Sequence, residues 1–473
     1  MSGLSRRAFF AAATGVAGGG LASACASNRP TRATGRASDQ PPPPDTASVL
    51  VVGAGMAGLS AARTLADTGR PVRVIEARGR IGGRVYTDRD WGTPLELGAS
   101  WIHGTTDNPL AELARRARAQ LAGTDYYGWA KLAVDPAVAP LDYQSATWRS
   151  FVERARQGGA GSQGGAGSQG GAGSLGAAVQ AAADSARLSA AGRAQLAFYL
   201  TTEIEDEYAA DANQLSASTF DKGDFAGGDQ DVITNGYDAL PKLLADGLTI
   251  ELNTPVTAIV QRDNAVIVRA GDRSFRGPAA IVTVPLGVLK SGAITFDPPL
   301  PDGHAQAVKA LGFGALSKSF FRFGQRTWKV DNAFYQYIGP EGGLWSQWFT
   351  LPGAAGPIAV AFNGGGRGRF VESCAPKDLL AGALPVARRL FGDDIALTDV
   401  RTSKWTVDPY ALGAYSFHSP GSGLDDRRRL QDPIGDRLYL AGEAVGVDNP
   451  STVTGALVSG RYAANQLMRK LNG

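Results

Sequence analysis

Cysteine and histidine are scarce in this chain. Of its 473 residues two are cysteine, Cys25 and Cys374, and three are histidine, His103, His304 and His418. Two cysteines make no disulfide framework and no cysteine-ligated zinc site. Three scattered histidines make no metal cluster. An excess of one charge is lacking too. The formal net charge is +3, which gives no electrostatic case for nucleic acid. No apolar run reaches the roughly 20 residues that a membrane-spanning helix needs. What remains is an ordinary globular composition, 44% hydrophobic, in a chain long enough for two domains with cores of their own.

Glycine, by contrast, is plentiful, and three glycines organise the chain. Val49–Val52 is an apolar, mostly β-branched run that predicts a buried strand. Gly53, Gly55 and Gly58 follow at G-x-G-x-x-G spacing, and a helical pattern runs from about Met56 to Asp67 until Thr68-Gly69 stops it. A second strand, Val72–Ile75, ends on Glu76. Gly53 allows the tight turn, Gly55 lets backbone approach a pyrophosphate, and Gly58 lets helix and strand pack closely. The helix N-terminus offers N–H groups and a positive dipole end to phosphates. Glu76 stands where a carboxylate accepts bonds from ribose hydroxyls. Strand, turn, helix, strand and acid in this order predict a dinucleotide site. The acid favours a free ribose hydroxyl over a 2′-phosphate. The motif alone leaves NAD and FAD open.

The N-terminus reads as an address. Ser5-Arg6-Arg7-Ala8-Phe9-Phe10 resembles a twin-arginine export signal, followed by a weakly apolar stretch from Ala8 to Leu21 and a small-residue cleavage site at Ala22-x-Ala24. Residues 1–24 are therefore expected to be a signal peptide and 25–47 a linker, with Pro41–Pro44 in an extended spacer. Cys25 is either the residue after plain cleavage or the site of a lipid tether to a membrane. Leu21 stands four residues before it, where a lipobox has leucine three before. The twin-arginine export machinery becomes an expected partner, and a periplasmic or extracellular location follows. That route carries folded proteins, so a cofactor can be loaded first.

Further along, a helix is expected from Pro109 to Leu121. Gly158–Ser174 is low-complexity, with three near-identical G-G-A-G-S units, and reads as a flexible insert. Leu175–Tyr208 reads as Ala-rich helix ending in the acids Glu203, Glu205, Asp206 and Glu207, mostly a solvated face. Gln261–Phe275 predicts a hairpin turning at Gly271-Asp272. A strand from Ala315 to Phe323 carries Lys318 among Phe320, Phe321 and Phe323. A lysine so placed needs a partner or a function, unless it snorkels from a strand edge.

Four stretches go further. Glu76–Arg84 reads E-A-R-x-R-x-G-G-R, Leu95–Gly104 reads LELGASWIHG, Thr283–Pro301 reads TVPLGVLKSGAITFDPPLP, and Arg437–Leu471 opens RLYLAGEAVGVDNPSTVTGAL. Together they resemble the flavin amine oxidase family, of the polyamine and monoamine oxidase kind. The resemblance implies an α/β protein in which a Rossmann-like FAD-binding domain (48–107, 229–300 and 419–473) interleaves with an α+β substrate-binding domain (108–228, carrying the insert 158–174, and 301–418). It implies that Gly53, Gly55, Gly58, Glu76, Arg78, Gly83 and Arg84 serve the adenosine and diphosphate of FAD. Val256 bonds the adenine through its backbone. Gly98, Ala99, Ser100 and Trp101 lie against the ribityl chain and ring. Gly442 and Glu443 form a second anchor, and the start of the last helix, capped by Ser451 or Thr452 and including Val453, faces the flavin.

For the chemistry, the resemblance makes Lys318 the catalytic residue, holding a water against flavin N5 to assist reoxidation and imine hydrolysis. His103 falls at the substrate tunnel, or else is a satisfied histidine in a turn. Glu205 is the candidate carboxylate for a cationic substrate. Trp405 and Tyr415 are the candidate rings beside the flavin, and Thr452 stands where monoamine oxidases carry a second cage tyrosine, which moves the match towards polyamine-type enzymes. Ala414 occupies the position of the cysteine that bonds flavin in monoamine oxidases, so non-covalent FAD is expected. The implied reaction is hydride transfer from an amine α-carbon to FAD, with dioxygen as oxidant and hydrogen peroxide as product. An L-amino-acid oxidase, an amine dehydrogenase and a non-catalytic flavin-bearing amine-binding protein stay open as alternatives. The first would need an arginine that Gly98–Trp101 lacks.

Overall fold

A computed structural model describes residues 47–159, 173–340 and 342–472. The export signal, Cys25 and most of the Gly-rich insert lie outside the described residues.

The Gly-rich unit sits in a five-stranded, all-parallel sheet. Its order is Leu438–Leu440, Ala280–Val282, Val49–Val52, Val72–Ile75, Thr249–Glu251. These strands come from three separate stretches of chain, inside 48–107, 229–300 and 419–473. Val49–Val52 is buried along its whole length, as a strand covered on both faces must be. Val52 pairs with Ile75 on one side and Val282 on the other. The carboxyl ends therefore line up, and Gly53, Glu76 and Thr283 leave the sheet together at the edge where open α/β sheets bind ligands. The first helix, Met56–Ala66, and the last, Val453–Asn472, pack on one face of this sheet. They meet at backbone distance. A Cβ on Gly460 would lie 2.1 Å from the Ala57 carbonyl oxygen, and the Ser60 hydroxyl donates to Leu457 O at 2.8 Å.

The second sheet has six strands, in the order Leu397–Thr402, Leu316–Phe323, Ile358–Gly364, Gln347–Thr350, Phe334–Ile338, Lys131–Val134. Strand alternation sorts its aromatics into two sets. Phe321 and Phe323 join Trp328, Trp345 and Trp348 beneath the helix Pro376–Phe391. Phe320 joins Phe334, Phe349 and Phe362 on the opposite face, against Leu95, Leu97 and Trp101. Lys318 shares the parity of Phe320, so this alternation turns it towards the first domain.

Two local expectations need correction, and a third is extended. The helix expected to reach Leu121 ends at Arg116, because Leu121–Gly123 pairs instead with Gln230–Ile233. The expected hairpin turning at Gly271-Asp272 is present, and it belongs to a larger four-stranded sheet with Ala258–Arg262 and Thr295–Asp297. The Ala-rich stretch is not one helix. It runs as Leu175–Ser185 and Ala190–Tyr199, widens into a π-turn at Leu200–Glu205, resumes over Asp206–Tyr208, and stops at Ala209 in the left-handed region.

Candidate active site

One cavity of about 490 Å³ joins the carboxyl edge of the parallel sheet to the aromatic face of the second sheet. Its first end is built for a dinucleotide. Gly53 has φ +105°, open to glycine but strained for other residues. A Cβ on Gly58 would lie 1.9 Å from Gly53 O, so only glycine lets the helix start this close to the turn. Gly55 is the opposite case: a Cβ there meets nothing within 4 Å, and the residue faces the cavity. The helix that starts at Met56 receives no side-chain cap, so its first N–H groups are left for a ligand. Glu76 is buried at the cavity wall, where its carboxylate accepts from Ala54 N at 2.7 Å and Arg78 N at 2.8 Å. Each oxygen keeps lone pairs for further donors such as ribose hydroxyls. Val256 also lines the cavity, in a segment tied down by Thr254 N donating to Glu76 O at 2.9 Å.

Arginines bound this end, each held by an acid. Arg78 donates to Asp408 at 2.6 Å. Arg84 donates to Glu443 at 2.8 Å and to Ala414 O at 2.8 Å. Burial alone would raise the Glu443 carboxyl, but the Arg84 and Arg427 cations and the Ser416 hydroxyl outweigh it and hold the carboxyl below its ordinary value. Behind Glu443, the fully buried Arg427 donates to Glu443 O, His418 Nε2 and Ser451 Oγ. Gly83, Gly442, Thr452 and Val453 complete the wall. Of the two candidate caps it is Thr452 that caps the last helix, its hydroxyl accepting from Gly455 N at 3.0 Å. Ser451 turns to Ser416 O instead.

Lys318 stands in the middle. Its Nζ donates to Ser100 Oγ at 2.6 Å, to Glu96 O at 3.3 Å and to Gly98 O. It also lies 5.8 Å from the centre of the Trp101 ring. The snorkelling alternative is excluded: Lys318 is 6% exposed and lines the cavity. Burial pushes its ammonium down to about 7, opposed by the charge of Glu96. The Glu96 carboxyl, beneath the site, is pushed up to about 7 by burial, against bonds from Tyr237 N and the Thr87 hydroxyl. Gly98, Ala99 and Ser100 line the cavity beside Lys318. Gly98 must be glycine, because a Cβ would meet Arg84 O at 1.8 Å.

The other end is aromatic. Trp101, His103, Tyr126, Phe334, Phe362, Trp405 and Tyr415 all line it. Trp405 is oriented by its indole N–H, which donates to Leu97 O at 2.9 Å. The Tyr415 hydroxyl donates to the Asp206 and Glu207 carbonyls. His103 is a wall residue whose Nδ1 donates to Gln230 Oε1 at 2.8 Å.

Glu205 is the candidate that the structure moves away. It does not line the cavity. Its carboxylate takes Arg367 Nη1 at 2.8 Å and Ala212 N at 2.9 Å. The π-turn adds a residue to the helix, which advances the following side chains by about 100°. Thr202, Asp206 and Glu207 are the residues of this segment that reach the wall. Sequence reasoning named Asp206 and Glu207 as members of the acid cluster but chose Glu205 among them, and it did not single out Thr202, Tyr126, Phe334, Gln347 or Phe362 as site residues. Which side chains of the strands carrying Phe334 and Phe362 face the site follows from how the sheets pack rather than from their order along the chain.

The comparisons agree with this arrangement. The family profile described as flavin containing amine oxidoreductase matches residues 56–468. The chain is 32% identical over 431 residues to polyamine oxidase 2 of Arabidopsis thaliana, covering 88% of this chain and 87% of that one. It is 30% identical over 440 residues to polyamine oxidase 5 of Oryza sativa subsp. japonica, covering 90% and 88%. It is 29% identical over 441 residues to lysine-specific histone demethylase 2 of Homo sapiens, covering 89% of this chain and 53% of that one. A profile match over residues 56–468 and relatives at 30–32% identity over nearly the whole chain show that it belongs to the flavin-containing amine oxidoreductases and is an FAD-dependent amine oxidase that holds its cofactor without a covalent bond.

Proposed function

We propose that the protein is a polyamine-type oxidase, taking an amine with further cationic nitrogens and returning its electrons to dioxygen as hydrogen peroxide. The observation that carries this is the continuity of the cavity. The dinucleotide cradle, Lys318 and an aromatic chamber with Asp206 and Glu207 in its wall share one space. The names of the relatives at 30–32% identity point the same way. An amino-acid oxidase is disfavoured, since both arginines on the wall, Arg78 and Arg84, are already paired with acids.

When bound, FAD supplies the two-electron acceptor for hydride from the carbon beside the amine nitrogen. The protein contributes position and electrostatics. The Trp405 and Tyr415 rings confine the amine, and their held indole and phenol groups keep them from turning. The amine must arrive neutral, and the apolar rings favour that form by desolvating the ammonium. Lys318, buried on the cavity wall and protonated below about pH 7, would be the group that stabilises negative charge developing on dioxygen. Loss of hydride leaves an iminium that water converts to an aldehyde and an amine. Dioxygen takes two electrons and two protons to become hydrogen peroxide.

Anaerobic stopped-flow mixing of the yellow holoenzyme with spermidine, spermine, putrescine, benzylamine and L-amino acids tests this. Polyamines should bleach the flavin band, and air should restore it with release of peroxide. Bleaching by L-amino acids alone would overturn the polyamine reading. Restoration only by an added electron carrier would replace oxidase by dehydrogenase.

We also propose export by the twin-arginine route, supported by Ser5–Phe10 and the small residues at Ala22-x-Ala24. Changing Arg6 and Arg7 together to lysine should retain the protein in the cytoplasm of an expressing bacterium. Unchanged export of that variant would remove the proposal.

A further inference from the structure

Lys318 Nζ is ringed by three acceptors, Ser100 Oγ at 2.6 Å, Glu96 O at 3.3 Å and Gly98 O. An ammonium has three N–H groups to give them, a neutral amine only two. The cradle is therefore built for the charged lysine, and a charge buried this deeply needs a counter-charge. The acids at the dinucleotide end are engaged already, Asp408 with Arg78 and Glu443 with Arg84. Among the described residues, the ionisable group whose charge acts on Lys318 is Glu96.

Glu96 meets the lysine twice. Its backbone carbonyl is one of the acceptors, and its buried carboxylate lies behind the cradle, off the cavity wall. Two donors hold that carboxylate: Tyr237 N at 2.9 Å and the Thr87 hydroxyl at 2.8 Å. Thr87 faces Glu96 across a two-stranded ladder, and its hydroxyl accepts from Asp238 N at 3.2 Å. The fully buried Tyr237 also donates through its hydroxyl to Trp101 O at 3.1 Å. One residue thus grips both ends of Glu96–Trp101, the stretch that carries the acceptors of Lys318. The other charge acting on Glu96 is Asp238, which is paired with Arg89 at 2.8 Å and Lys242 at 2.6 Å. The Tyr237 phenol stays neutral, since burial pushes it far up.

We propose that Glu96 is the positioning residue of Lys318: its carbonyl holds the ammonium in place, and its buried carboxylate, gripped by Tyr237 and Thr87, keeps that ammonium charged when dioxygen reacts. The proposal rests on the oxidase reading of the cavity and names the group that sets the charge of its lysine.

The test is reoxidation of photoreduced holoenzyme by dioxygen, followed against pH, so that no amine is needed. Glu96→Gln keeps the backbone carbonyl and the shape of the side chain but removes the charge. The Lys318 proton should then be lost about one pH unit earlier, at the lower end of the range for removing a nearby opposite charge. The variant should match wild type at pH 5 and be roughly tenfold slower at pH 8. Added to Lys318→Met, the same change should have no further effect on reoxidation. Melting of the apoprotein gives a readout without flavin. Burial raises the folded Glu96 carboxyl from 4.5 to about 7, so wild type loses stability as pH rises through that window and the variant does not. The melting temperature of the variant minus that of wild type should therefore grow from pH 4.5 to pH 7. Tyr237→Phe, which removes the bond to Trp101 O and leaves the charge, should keep the limb at its wild-type pH. Thr87→Val, which takes one bond from the carboxylate, should move the limb as Glu96→Gln does, by less. A limb unmoved in Glu96→Gln overturns the proposal. So does slowing by the same factor at every pH, the mark of a merely structural role. If Glu96→Gln does not fold, Thr87→Val decides by the same limb. A shifted limb in an enzyme whose flavin no amine bleaches overturns the amine-oxidase reading and leaves the coupling of Glu96 to Lys318 standing.

Discussion

Replacing Lys318 by methionine should slow reoxidation of the reduced enzyme by dioxygen on the order of 100-fold, within the range for loss of a positioned proton-transfer group or charge. Anaerobic reduction by the amine should change by less than about tenfold, because hydride transfer depends on position rather than on this side chain. Methionine matches lysine in length and suits the apolar surroundings of Phe320 and Phe362. The change therefore removes the charge and the bonds to Ser100, Glu96 and Gly98 with little loss of packing.

The pH dependence gives a second readout. Burial pushes the Lys318 ammonium down to about 7 from 10.5. Below pH 7 the group is charged in the folded protein, and above it the group is neutral. Reoxidation of the wild type should therefore fall as pH rises through about 7, and Lys318→Met should show no such limb. Stability carries the same signature with a definite sign. Between pH 7 and 10.5 the unfolded chain binds the Lys318 proton and the folded chain does not. The proton term therefore raises stability as pH rises through that window. The difference in melting temperature between Lys318→Met and wild type should narrow from pH 7 to pH 9.5 and be largest in favour of methionine at or below pH 7. Oxygen-dependent stopped flow at several pH values checks the first expectation and calorimetry the second. Equal reoxidation rates in the two proteins would take Lys318 out of the chemistry.

Gly55→Ala and Gly58→Ala should fail in opposite ways, although both add one methyl group to the same motif. At Gly58 the new Cβ would stand 1.9 Å from Gly53 O and 2.8 Å from the Thr283 hydroxyl. Backbone must move, which separates the first helix from the sheet. The expected cost is about 1–3 kcal/mol or more, the range for overpacking a well-filled site, and FAD is lost as a consequence of the distortion. At Gly55 the new Cβ meets nothing within 4 Å and φ is −77°, so the apoprotein should fold as well as wild type. The methyl group instead projects into the space the diphosphate needs. FAD affinity should fall on the order of 100-fold through longer, weaker bonds to the helix N–H groups. Isothermal titration of apoprotein with FAD, paired with melting curves in its absence, separates the two. Undiminished FAD affinity in Gly55→Ala would mean that the open space at this glycine is not where the diphosphate lies.

Much of the cofactor site was legible in the sequence because its constraints are local. Gly53, Gly55, Gly58 and Glu76 lie within one strand–helix–strand unit, and their spacing states their geometry: a positive φ, an open approach, a close contact and an acid at a strand end. The scarcity of cysteine and histidine argued against a disulfide framework or a cysteine- and histidine-ligated metal site from composition alone. Lys318 stood out because a cation among phenylalanines demands an explanation wherever it lies. The amine chamber was less legible, since it is made by elements that meet across the chain. Trp101 touches Phe334 only because two sheets face each other, and the face each of these aromatics occupies depends on strand parity, which a shift of one residue would invert. Glu205 shows this most clearly. The acids were visible as a cluster, but a π-turn inside an otherwise helical pattern decided that Glu205 would meet Arg367 and Glu207 the cavity. Local spacing along the chain thus marked a dinucleotide site and the residues of its cradle, while the identity of the dinucleotide as FAD came from the family resemblance. The side chains that meet the amine were decided only by packing, because register, parity and the rotation of a helix are properties of how elements fit together rather than of any one segment.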